Sequence, residues 1–112
     1  MKYQSQLDII KEFTDGEIES DENGNAFGVS FQSKLSRFEI LTGQRTERWA
    51  LIVNAGDVIF HCEFPASEVI HHPSDTPINI SALVFHDLKT GKQVLSINRR
   101  GEQYAIDPIC NY

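Results

Sequence analysis

A chain of 112 residues and 12.7 kDa reads as a single domain, 1–112, large enough to bury one core without metal or disulfide support. Hydrophobic residues at 40% and charged residues at 23% exclude wholesale disorder. Sixteen acidic against ten basic side chains give a formal charge of -6, a field that repels phosphate backbones on average.

The basic pairs Arg45 with Arg48 and Arg99 with Arg100 lack the density and the interleaved aromatics of a nucleic-acid surface, so nucleic acid is not an expected partner. The acid excess favours encounter with a basic protein instead, although a charge of this size also serves ordinary solubility. The opening residues are polar and amphipathic, without a secretion-signal run, and no segment approaches transmembrane length. Cytoplasmic residence without membrane attachment is the expectation, and Cys62 and Cys110 are expected to be buried thiols.

Taken in chain order, the first predicted element is a helix over Ser5–Phe13, with Ser5 as cap and Asp8 three residues on in an acidic form of the capping box. Leu7, Ile10 and Phe13 fall on one face, and Gly16 is placed to stop the helix. The acidic stretch EIESDENGN reads as a loop or hairpin end. Strands follow at AFGVSF, where Gly28 suggests a bulge, and at RFEIL.

Trp49–Phe64 is the clearest element, a hairpin in which Trp49, Leu51 and Val53 alternate on one strand and Val58, Phe60, Cys62 and Phe64 on the other. Asn54 and Gly56 supply the permissive backbone for its reversal. Prolines break the pattern between Pro65 and Pro77, where Ser67–Ile70 reads as a helical turn. INISALVFHD and QVLSINR form a second hairpin with left-handed Gly91, and QYAID is a last short strand before Pro108. One helix followed by six or seven hairpin-connected strands implies an α+β fold, the helix packed on a curved, mostly antiparallel sheet, with a small barrel or sandwich as the alternative.

Candidate chemistry is sparse. His61 and Glu63 share the face of their strand opposite the apolar row, and together with His86 they are the candidate lining of a pocket on the curved sheet. The four histidines have irregular spacing, so no metal site is expected. Glu19, Asp21, Asn23 and Gly24 echo a calcium loop, but its twelfth position is Ser30 where a carboxylate is required. Cys62 and its neighbour His61 face opposite sides of one strand and cannot form a nucleophile–base pair. Serines sit in no elbow-like glycine context and no phosphate loop exists, so no catalytic residue and no cofactor are expected.

Glu17, Glu19, Asp21 and Glu22 are the candidate interface, joined by Trp49 and Tyr104, which are either core residues or partner anchors. Three function classes follow. The first is an acidic interaction module that binds and inhibits a basic protein, the general make-up of bacterial immunity proteins and phage inhibitors. The second is a ligand-binding or enzymatic domain using His61, Glu63 and His86. The third is a self-assembling subunit whose strand edge pairs with its own copy, a homo-oligomer.

Overall fold

The computed structural model describes residues 3–34, 36–43, 46–73, 80–100 and 103–108, and Cys110 lies outside them. These residues form one helix, α1 (Gln4–Thr14), and nine strands: β1 (Glu17–Ser20), β2 (Ala26–Ser33), β3 (Ser36–Thr42), β4 (Arg48–Ala55), β5 (Val58–Pro65), β6 (Ser67–His72), β7 (Ile80–Asp87), β8 (Gln93–Arg100) and β9 (Gln103–Pro108). The expected antiparallel pairing holds throughout, but the strands divide into two sheets instead of one curved sheet: β1-β2-β3-β4-β5 and β6-β7-β8-β9.

The helix begins one residue earlier than expected. Tyr3 is its N-cap and no side chain caps it; Ser5 Oγ donates to Gln6, and Gln4 donates to the Asp8 carboxylate at 2.9 Å. Leu7, Ile10 and Phe13 are buried as their spacing requires. At the other end Asp15, not Gly16, takes the left-handed conformation, with φ 52°, and the Gly16 N–H reaches back to Lys11 O at 3.2 Å.

Two segments read as irregular are strands. Glu17–Ser20 pairs with β2 although Ile18 is its one apolar residue, because ladder hydrogen bonds need no apolar side chain. Ser67–His72 pairs with β7 from Ser67↔Asp87 to His72↔Ala82, which corrects the helical turn expected there. Its flanking prolines mark the ends of the strand without disturbing its interior. Gly28 does lie beside a register shift, since Glu19 faces Gly28 while Ser20 faces Ala26.

The β4–β5 hairpin forms as read, from Arg48↔Pro65 to Ala55↔Val58. Asn54 sits inside the ladder opposite Ile59, and the loop is Gly56–Asp57, with Gly56 at φ 67° as a first loop position of positive φ requires.

The sheets separate at Ala66. Its N–H donates to Glu47 O at 2.9 Å, and its carbonyl accepts from Leu88 N–H at 3.1 Å, so one residue bonds to a loop beside each sheet. Behind that corner the two sheets share one core. Phe64 of the first sheet meets Phe85 of the second with ring centroids 5.7 Å apart, Trp49 meets Phe85 at 6.4 Å, and Phe31 meets Tyr104 at 5.2 Å. The sandwich alternative therefore describes the sheets better than the single curved sheet does. Helix α1 packs on β1, β2 and β6, adding Leu7, Ile10 and Phe13 to that core. No helix of the described residues is long and apolar enough to cross a membrane.

Candidate functional site

A pocket lined by the histidine row needs its members together. His61 and Glu63 are exposed on the outward side of β5, the side opposite buried Phe64. His86 is in the other sheet, on β7, directed away from the face that Phe85 buries. Its Nδ1 lies 3.3 Å from Gly91 O, tying the ring to its own hairpin. The structure thus brings His61 and Glu63 onto one row and leaves His86 on a different sheet. His71 lies on β6, with its ring 5.2 Å from that of Phe13. Among the described residues no group of three or more His, Cys, Asp or Glu is placed to hold a metal ion.

Trp49 is 1% exposed and is part of the core, which leaves it no surface to present as an anchor. Tyr104 is half-buried and faces Phe31, Phe38 and Phe13. Its hydroxyl donates to Thr14 O at 3.3 Å, and the neighbouring Arg99 donates to Phe13 O at 3.0 Å. Together they satisfy two carbonyls at the C-terminal end of α1, where a guanidinium also complements the negative pole of the helix.

These residues form one wall of a cleft of about 500 Å³ that opens beside the end of α1, with Asp15 and Glu17 on one side and Lys34 and Arg37 on another. Arg37 is already held by Glu19 at 3.6 Å and Glu39 at 3.3 Å. Among the described residues no histidine or cysteine lines the cleft.

Burial pushes the Tyr104 phenol above its ordinary value, against the opposing pull of Arg99, and the Asp15 carboxylate adds to the rise. A raised folded-state value means that the unfolded chain loses the phenolic proton first. The stability tied to Tyr104 is therefore complete below about pH 10 and is lost as pH climbs through the folded value. Tyr104→Phe is expected to cost about 0.5–1 kcal/mol at pH 8, through the lost hydrogen bond. That difference should shrink in urea titrations at pH 11, and a difference that grew with pH would contradict the assignment.

The acidic residues do converge. β1 is an edge strand of the first sheet, and α1 packs beside it. Asp8 and Glu12 project from the side of the helix opposite Leu7, Ile10 and Phe13, Asp15 follows the last turn as the left-handed C-cap, and all three are exposed. Glu17 and Glu22 are exposed as well. Glu19 is half-buried in its ion pair, and the Asp21 carboxylate accepts the Asn23 and Asn25 N–H groups at 2.9 Å each, closing the β1–β2 turn. Seven carboxylates thus lie between Asp8 and Glu22 with a single cation, Lys11, among them; the remainder of the sequence holds nine acidic and nine basic residues.

The entire formal charge of the protein is therefore carried by α1, β1 and the turn after them. Asp8, Glu12 and Asp15 belong to this surface although the candidate interface of Glu17, Glu19, Asp21, Glu22, Trp49 and Tyr104 does not include them. The helical spacing of Asp8 and Glu12 opposite the apolar stripe was the available signal. Compared with known proteins, the chain matches no protein-family model, no curated protein and no solved structure.

Proposed function

We propose that this protein is a small binding module of the kind that occupies and blocks a basic surface on another protein, docking through its α1–β1 edge. The observation that supports this most directly is the confinement of the whole -6 charge to residues 8–22, which fold into one helix and the adjoining edge strand. A one-sided field orients a partner before contact and discriminates against acidic surfaces, which is what an electrostatic docking module requires. The placement of His86 on a different sheet from His61 and Glu63 counts against a reading based on a catalytic or ligand pocket. Cys62 carries a thiol, which suits a reducing compartment, and the cytoplasm is the proposed place of action.

The test uses side chains that do not hold the fold. Asp15, Glu19 and Asp21 have structural roles, whereas Asp8→Asn, Glu12→Gln, Glu17→Gln and Glu22→Gln change only exposed groups. The immobilised wild-type chain is expected to capture a basic protein from its native lysate at ~0.05 M salt and to release it by ~0.5 M, where screening shortens the reach of the field. The fourfold variant should capture it about tenfold less well. Recovery of nothing, or recovery unchanged in the variant, overturns the proposal.

A further inference from the structure

The edge of the first sheet opposite β1 has the contrary character. β5 ends the strand order there, and its first three residues are exposed apolar side chains: Val58 at 65%, Ile59 at 70% and Phe60 at 42%. The hairpin row expected to be core, Val58, Phe60, Cys62 and Phe64, is buried only at Phe64 and half-buried at Cys62; its other members extend past the second sheet. Strand edges of this composition are usually blunted by lysine, proline or a bulge, and β5 has only Pro65, at its last position.

The backbone has a definite polarity. In a two-residue hairpin Ala55 and Val58 close the ladder as a hydrogen-bonded pair, so even-numbered residues of β5 turn their N–H and C=O toward β4. The bond from Ala66 N–H to Glu47 O keeps the same parity. Ile59, His61 and Glu63 consequently direct their backbone donors and acceptors away from β4, into the edge that no described strand covers. Pro65, which has no N–H, stands at the next outward position.

We infer that β5 pairs edge to edge, antiparallel, with β5 of a second copy of this chain, joining two five-stranded sheets into one of ten. Two features select a second copy as the occupant. The first is charge: four strand spacings separate β5 from β1, and in the joined sheet the two acidic edges stand nine spacings, about 40 Å, apart. That distance is several times the screening length of about 8 Å at physiological salt, so copies carrying -6 each can meet at this edge without mutual repulsion.

The second feature is self-complementarity. A two-fold axis normal to the sheet sets odd residues against odd and even against even. Centring on Phe60 would oppose Asp57 to Glu63, and centring on His61 would oppose two imidazoles. Centring on Cys62 instead places His61 opposite Glu63 twice, with Cys62 opposite its own copy and Ile59 opposite Pro65. The inference goes beyond the proposed docking function and rests on a different edge of the molecule, so either can fail alone.

Sedimentation equilibrium of the full chain, from ~10 µM to ~1 mM, is expected to show the mass rising from 12.7 kDa toward twice that value. Ile59→Lys, which puts a charge on the edge, and His61→Pro, which removes an outward N–H, should each weaken the dimer at least about tenfold. The fourfold acidic-edge variant should dimerise like wild type. Amide exchange on the unmodified chain supplies a readout that does not depend on the variants folding: protection at Ile59, His61 and Glu63 should rise with concentration. A protein that remains monomeric at ~1 mM, or a dimer whose outward β5 amides exchange as fast as in the monomer, overturns the inference.

Discussion

Replacing Trp49 by alanine is expected to lower the unfolding free energy by about 3–5 kcal/mol, measured by urea denaturation. The indole touches three parts of the molecule. Tyr3, at the start of α1, meets it edge-on at 5.1 Å; Phe64 of the same sheet lies at 6.0 Å and Phe85 of the opposite sheet at 6.4 Å. Removing it opens a cavity where helix and both sheets meet, so no single element can relax to fill it. The indole N–H is buried without a hydrogen-bond acceptor among the described residues. Both Trp49→Phe and Trp49→Ala discard this unsatisfied donor, and Trp49→Phe should cost much less because it keeps most of the ring contacts. Equal losses for the two variants would show that the ring contacts do not carry the stability assigned to them.

Gly16→Ala is expected to cost about 1–3 kcal/mol, although alanine is ordinarily the more stabilising residue of the two. A Cβ at this position would stand 2.4 Å from Ser30 O and 2.9 Å from Thr14 Oγ1. The first is a backbone atom of β2, which is paired on both sides and cannot move aside without breaking its ladders. Gly56→Ala provides the comparison: nothing stands within 4 Å of its Cβ, and only the positive φ of 67° opposes the change. A loss nearer 1 kcal/mol is expected there. Thermal melts of the two variants should rank them in that order, and a reversal would mean that β2 yields more readily than its pairing implies.

The alternating hairpin and the amphipathic helix were legible because each depends on contacts near in sequence, and residue periodicity reports those. Leu7, Ile10, Phe13, Trp49, Leu51 and Phe64 all bury as their spacing requires. What alternation could not say is where the core stops. Phe60 and Phe64 occupy the same row of β5, yet one is 42% exposed and the other 1%, because the second sheet covers only one end of that row. Division into two sheets was hidden for a similar reason: it turns on Ala66 bonding to Glu47 and Leu88, about twenty residues away in each direction, with no local signal. β1 was missed because its glutamates resemble loop composition, while its pairing with β2 is made by the backbone. The acidic site was half legible. Its loop carboxylates stood out in sequence, but their union with Asp8, Glu12 and Asp15 required the helix to lie against β1.

The clamp on α1 also bears on the order in which the molecule assembles. Arg99 and Tyr104 follow the carbonyls they bind, those of Phe13 and Thr14, by 86 and 90 residues. During synthesis the helix therefore emerges well before the groups that lock its end. Until then α1 is an eleven-residue helix, too short to persist in water on its own. Its docking is the late, long-range closing step, preceded by hairpins that each form from neighbouring sequence.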